Sequence, residues 1–137
     1  MSKLIVHSGL RVSQSMYGGF GVFTDEPIKA NSIVEQCPAL VMSGFSIDQL
    51  PILLQRYVYN WTMDKNPSKI VVLLGNGMIY NHRDKNNLLH ISELLFLEGE
   101  TKMIITFYAD RDIDKGEELF SNYGDRYFNH FDIPKID

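Results

Sequence analysis

The chain has 137 residues, of which 45% are hydrophobic and 22% are charged, and its formal net charge is −4. These values predict one globular domain with a sizeable core, and the acidic balance argues against a nucleic-acid-binding protein, which normally presents a basic face. The single cysteine, Cys37, excludes a disulfide within the chain and an all-cysteine zinc site.

No apolar stretch approaches the roughly 20 residues that a membrane-spanning helix needs, and the amino terminus lacks the apolar region of a secretion signal. We therefore expect an intracellular protein that does not bind membranes. No two of the four histidines are spaced four residues apart, which argues against a metal site.

Short β-prone runs open the chain. Residues 4–6 and 10–12 are strand candidates separated by a turn. The glycine-rich run 17–23 predicts a hairpin turn or a β-bulge, because glycine permits positive φ and a close approach of the backbone. This run does not match a dinucleotide-binding fingerprint, since Thr24 stands where the third glycine belongs.

The next segment combines a strand and a short helix. Residues 33–42 read as a strand that Pro38 breaks into two pieces. Ser46 predicts the cap of a short helix, with Pro51 in an early position and an end near Tyr57.

The second half of the chain continues the β pattern. The aromatic stripe at 57–61 predicts mostly core, and residues 70–74 predict a strand that ends at a glycine turn. Residues 88–97 and 102–109 predict the two arms of a hairpin, and residues 118–120 a last strand. Many short strands without sustained helical periodicity indicate a mostly β domain.

Two distant stretches do not look like ordinary core. Tyr80-Asn81-His82 places polar groups directly after a short apolar run that resembles a strand. The run 109–124 ends with Tyr123 on a turn. We expect these stretches to meet around one site. Glu117 and Glu118 are interpreted as organising residues of the preceding turn rather than a glycosidase pair, because neighbours on a strand face opposite sides.

Three motifs in this order resemble the SET domain of protein lysine methyltransferases. The resemblance covers roughly residues 10–127, and its third motif is highly specific. The matching residues are Gly19-Phe20-Gly21 for the early G-x-G, Tyr80-Asn81-His82 with Asn87 for the Asn-His segment, and Ala109, Arg111-Asp112-Ile113, Gly116-Glu117-Glu118-Leu119 and Tyr123-Gly124 for the last motif.

The resemblance implies the β-clip fold of the SET family. This fold is mostly β, with several short-stranded sheets, a short helix and a knot-like crossing of the carboxy-terminal segment. One SET domain would then span residues 1–131, with 125–131 as an aromatic closing segment and 132–137 as a loose tail. The absence of cysteine-rich flanking segments from the sequence is similar to the compact viral and bacterial members.

The resemblance also implies roles for individual residues. Tyr123 matches the catalytic tyrosine, whose hydroxyl orients the amine. The remaining site residues fall into two groups: Gly19, Phe20, Gly21, Tyr80, Asn81 and His82 for binding the cofactor, and Tyr57, Tyr127 and His90 for the substrate side.

The implied activity is methyl transfer from S-adenosyl-L-methionine to the ε-amino group of a lysine in a protein, with a histone tail as the favoured substrate. The implied partner is a basic, lysine-containing protein, without direct contact to nucleic acid, and a homodimer stays open. Such an enzyme would be soluble and intracellular, in the cytoplasm or the nucleus, or in a host nucleus for a viral or bacterial effector. A histone substrate would link it to chromatin.

The chain departs from the family pattern at three positions. Arg83 replaces the serine that commonly follows Asn-His, Asn86 replaces the usual proline, and Asn122 precedes the tyrosine. The first two departures leave an alternative open, namely a catalytically degenerate SET domain that acts as a peptide-binding or protein-binding module.

Overall fold

The computed structural model describes residues 4–42, 47–55, 57–61, 69–97 and 99–122. Within these ranges the chain is mostly β, as the sequence predicts. A 3₁₀ turn spans Ile47–Gln49, and the regular elements are β1 (Leu10–Gln14), β2 (Phe20–Thr24), β3 (Ile33–Met42), α1 (Ile52–Gln55), β4 (Tyr59–Trp61), β5 (Lys69–Leu73), β6 (Asn81–His82), β7 (Leu88–Leu97), β8 (Glu100–Ala109) and β9 (Glu118–Ser121).

The first sheet has four strands in the order β1-β2-β9-β6. β1 and β2 form an antiparallel hairpin that closes where Gln14 faces Phe20. The connecting turn contains Gly18 and Gly19 with φ of +102° and +62°, backbone angles that residues other than glycine rarely adopt. The predicted hairpin turn is therefore confirmed.

The second sheet has five strands in the order β4-β5-β3-β8-β7. β7 and β8 pair along their whole length, from Leu88 opposite Ala109 to Leu97 opposite Glu100. The predicted hairpin is confirmed, but its second arm begins at Glu100, two residues earlier than predicted, next to Gly99 with φ of +83°.

The predicted break at Pro38 is wrong, because β3 runs without interruption from Ile33 to Met42. Pro38 faces Ile104 at the end of the ladder with β8, and the ladder with β5 begins at the next residue, Ala39. Proline is tolerated at the end of a ladder, where its missing N–H costs least, and its carbonyl still accepts a bond from the Leu74 amide.

The predicted helix is shorter than expected. α1 directly follows Pro51, ends at Gln55, and is succeeded by a turn in which the Tyr57 amide donates to the Leu54 carbonyl. Ile52 is 75% exposed, and a single turn without a buried face has little to stabilise it. The proposed cap, Ser46, lies outside the described residues.

One cluster of buried apolar side chains joins the two sheets. Val22 and Leu119 contribute from the first sheet, and Val34, Val71 and Phe107 contribute from the second. In the aromatic stripe that was predicted to be core, Val58 is buried against Ile70, whereas Tyr57 is 53% exposed.

Within the described ranges, no helix is long and apolar enough to cross a membrane. The same residues contain no group of three or more His, Cys, Asp or Glu side chains that could hold a metal ion.

A buried carboxylate anchors the segment that leads into β6. Glu35 Oε1 accepts a hydrogen bond from the Tyr80 hydroxyl at 2.5 Å, and Oε2 accepts one from the Asn76 amide at 2.9 Å. Burial and the neighbouring carboxylate raise the pKa of Tyr80 well above its ordinary value, and burial likewise raises the pKa of the Cys37 thiol beside it. Tyr80 therefore keeps its proton and acts as the donor.

We expect the substitution Tyr80→Phe to lower the free energy of unfolding by about 1–3 kcal/mol, because it leaves a buried oxygen of Glu35 without its donor. Urea denaturation followed by far-ultraviolet circular dichroism measures this change. Tyr108→Phe on β8 is the matched control, with an expected change of about 0.5 kcal/mol or less. Equal losses in the two variants would contradict a special role for the Glu35 contact.

Candidate active site

The two stretches that the sequence singles out meet in the first sheet. β6 and β9 run parallel, with Asn81 opposite Phe120 and His82 opposite Ser121. The Arg83 amide continues this pairing and donates to the Ser121 carbonyl at 3.0 Å. The Asn-His segment therefore lies directly beside the strand that leads to Tyr123.

A second asparagine, Asn87, holds β9 in this position. Its side chain accepts a bond from the Phe120 amide at 2.7 Å and donates to the Glu118 carbonyl at 2.9 Å. The residue is 1% exposed, so these bonds are shielded from water. The motif match identified Asn87 but did not reveal that its side chain bonds to the backbone of β9. Such a side-chain contact leaves no trace in the hydrophobic periodicity of the sequence.

Glu118 forms the centre of the site. Its carboxylate accepts a bond from the Ser15 hydroxyl at 2.8 Å through Oε1 and one from Asn81 Nδ2 at 2.8 Å through Oε2. The same Asn81 nitrogen donates to the Phe20 carbonyl at 3.0 Å. Three separate segments of the chain are thus joined at one buried carboxylate.

These contacts determine what Asn81 can offer to a ligand. A side-chain amide has two N–H hydrogens, and both are used by Phe20 and Glu118. Its oxygen Oδ1 is therefore the atom that can accept a bond from a ligand's N–H or O–H group.

Gly21 explains why the glycine motif is required here. A Cβ atom at this position would lie 2.3 Å from Glu118 Oε2 and 3.0 Å from Asn81 Nδ2, so a side chain there would displace the Glu118 carboxylate. At Gly18 and Gly19 the opposite holds, since nothing lies within 4 Å of an added Cβ. The turn thus packs tightly at one end and is open at the other.

The adjacent glutamates face different surroundings, since Glu117 ends the turn before β9 and Glu118 is the first residue of that strand. Glu117 accepts bonds from Arg111 Nη2 at 3.0 Å and from the Asp114 amide at 2.5 Å. The bond from Arg111 lowers the pKa of Glu117 and raises that of Arg111. Glu117 therefore organises the turn, as predicted, whereas Glu118 has a place inside the site that the sequence analysis did not foresee.

The predicted cofactor-binding residues differ in what they expose. Phe20 is 68% exposed, but Tyr80 is fully buried against Glu35. The His82 side chain is also buried, with Nε2 at 3.3 Å from Asp84 Oδ1. Tyr80 and His82 can therefore reach a ligand through their backbone groups.

Two of the predicted substrate-side residues, Tyr57 and His90, lie on other elements of the chain. Tyr57 lies in the turn after α1, and His90 lies on β7, where its ring centroid is 5.8 Å from that of Phe107. Partial withdrawal from water lowers the pKa of His90. Tyr123 and Tyr127 lie outside the described residues.

This arrangement suits the binding of a polar ligand beside an open glycine turn. Gly19 is exposed, and Asn81 keeps an amide oxygen that can accept a hydrogen bond. The Ser121 hydroxyl is buried and has no hydrogen-bond partner within the described ranges.

Comparison with known proteins identifies the family. The family model for the SET domain matches residues 19–124. A histone-lysine N-methyltransferase of Schizosaccharomyces pombe, specific for H3 lysine 37, is 29% identical over 123 residues, which cover 88% of this chain and 77% of that protein. A solved structure of a Plasmodium falciparum protein assigned as a histone methyltransferase superposes with a TM-score of 0.67 at 29% identity, covering 88% of this chain and 96% of that one. The chain belongs to the SET-domain family and is a protein-lysine methyltransferase.

Proposed function

We propose that this enzyme uses S-adenosyl-L-methionine to methylate the ε-amino group of a lysine in a histone tail. SET methyltransferases use this cofactor in general, and both relatives are named as histone methyltransferases. The observation that carries the proposal is the Asn81 junction, which joins the glycine turn, the Asn-His segment and β9 at one place.

The residues at this junction fit the proposed cofactor. Its methionine part carries an ammonium group, which matches the acceptor oxygen that Asn81 has left. We assign the backbone of Gly19, Phe20 and Gly21 to the remaining polar atoms of the cofactor, and the turn leaves room for it beside Gly19. Tyr80 and His82 would contribute backbone groups only, since their side chains are buried.

When bound, the cofactor supplies a methyl group on a positively charged sulfur. The protein's task is to align an attacking nitrogen with that methyl and to exclude water. The nitrogen must be neutral, and deprotonating a free lysine at pH 7 costs about 4–5 kcal/mol. An apolar, aromatic channel reduces this cost because it disfavours the ammonium form.

We assign Tyr123 to orienting the amine, and Tyr57, Tyr127 and His90 to the substrate side. Tyr123 stands two residues after Ser121, which pairs with His82 beside the junction. The net charge of −4 suits a basic protein tail as the substrate, and it gives no support to nucleic-acid binding. A histone substrate would place the enzyme in the nucleus.

We expect Tyr123→Phe to reduce methyl transfer by about a hundredfold, because the ring is retained while the orienting hydroxyl is removed. Mass spectrometry of histones incubated with the protein and S-adenosyl-L-methionine measures the methyl-lysine formed. Tyr108→Phe serves as the matched control and should retain wild-type activity.

The outcomes separate the parts of the proposal. Full activity of the Tyr123→Phe variant would remove the role of this tyrosine. Methylation of other lysate proteins without any modified histone would contradict the histone substrate. A wild-type protein that modifies neither histones nor other lysate proteins would contradict cofactor-dependent transfer.

A further inference from the structure

Arg83 occupies a position that the motif match marks as a departure, and its side chain connects three segments. Its Nη1 donates a hydrogen bond to the Tyr17 hydroxyl in the turn between β1 and β2. Its guanidinium carbon lies 4.9 Å from the Tyr17 ring centroid and 5.4 Å from that of Phe120 on β9. The two rings also meet edge to face, with their centroids 5.5 Å apart.

We propose that Arg83 and Tyr17 are positioning residues that hold the glycine turn in the conformation that binds the cofactor. This inference rests on the proposed use of S-adenosyl-L-methionine. Neither residue belongs to the motifs that assigned the site, and neither is proposed to touch the reacting atoms.

The turn is held on one side by the central carboxylate. The Ser15 hydroxyl donates to Glu118 and accepts a bond from the Tyr17 amide at 3.1 Å. The Gly18 amide donates to the Ser15 carbonyl at 3.2 Å, and the Ser15 amide donates to the Gly19 carbonyl at 2.9 Å. These bonds fix the backbone at Ser15, which is the start of the turn.

The other end of the turn has little packing of its own. Gly18 and Gly19 are exposed, and an added Cβ would find no neighbour within 4 Å at either position. Glycine also has the largest conformational freedom of any residue, so such a turn samples many conformations unless something restrains it. The Tyr17 side chain, which Arg83 fixes against β9, adds a restraint to the backbone bonds that Gly18 and Gly19 make with Ser15.

Arginine suits this role for a physical reason. Its planar guanidinium can stack on aromatic rings and donate a hydrogen bond in the same orientation, which lysine and serine cannot do together. The Arg83 backbone is itself fixed by its bond to the Ser121 carbonyl, so the side chain starts from a defined point. Holding the turn in advance reduces the ordering that cofactor binding would otherwise require.

The variants Arg83→Ser, Arg83→Lys and Tyr17→Phe test this inference. Arg83→Ser removes the whole contact and introduces the residue common in the family, and Tyr17→Phe removes the hydroxyl alone. Arg11→Ser is the matched control, because Arg11 also lies over an aromatic ring, at 5.3 Å from the centroid of Phe23, but belongs to the exposed face of β1.

Steady-state kinetics should separate positioning from general damage. We expect Arg83→Ser to raise the KM for S-adenosyl-L-methionine about tenfold, and Tyr17→Phe to raise it about threefold. Both variants lose the charge-assisted hydrogen bond between the two side chains. Because the reacting groups are untouched, kcat and the KM for the histone peptide should stay within about twofold. Arg83→Lys should restore part of the affinity, and Arg11→Ser should leave all three constants unchanged.

A second measurement needs no cofactor. Hydrogen exchange of the Gly18 amide, followed by NMR, should be faster in Arg83→Ser and Tyr17→Phe than in the wild type and in Arg11→Ser. Unchanged exchange would overturn the inference, and so would equal changes in kcat and both KM values.

The two proposals fail in different ways. If the wild-type protein does not bind S-adenosyl-L-methionine, the proposed function fails, and the exchange of Gly18 alone decides whether Arg83 and Tyr17 restrain the turn. If the wild type binds the cofactor and the variants match it in both measurements, only the positioning role is wrong.

Discussion

The carboxylate of Glu118 is the interaction on which the site depends. It is nearly buried, and it receives hydrogen bonds from Ser15 in the first hairpin and from Asn81 at the start of β6. Leaving a buried carboxylate without its donors is costly, so the three segments are strongly biased to stay together. Gly21 is the steric consequence, because a Cβ atom at this position would push the Glu118 oxygen out of its place.

Parallel pairing of β6 with β9 gives the site its shape but is weak by itself, since β6 has only two residues. Side chains supply the missing support. Asn87 bonds to both the amide of Phe120 and the carbonyl of Glu118, and Glu35 fixes Tyr80 just before β6 begins. The segment from 80 to 87 is therefore held by buried polar contacts at its two ends rather than by a long ladder.

Local patterns predicted most of the strands, and the motif resemblance led to the expectation that the two motif stretches meet. Hydrophobic periodicity and turn residues are local properties, and they placed the hairpins at β1–β2 and β7–β8 correctly. The error at Pro38 arose because a proline breaks a strand only where its N–H is needed, and the position of a ladder end is a tertiary property.

The central position of Glu118 and the contacts of Arg83 could not be predicted for the same reason. Each depends on partners far away in the chain, such as Ser15 for Glu118 and Tyr17 for Arg83. Motif matching identified Asn81 and Gly21, but it did not identify the Glu118 carboxylate, whose contacts explain why both residues stand there.

Calorimetric titration of S-adenosyl-L-methionine into the wild type, Glu118→Gln and Glu117→Gln tests that explanation most directly. We predict saturable binding to the wild type and to Glu117→Gln, and binding about tenfold weaker in Glu118→Gln, which cannot accept both bonds. Equal affinity in the two glutamine variants would contradict the account.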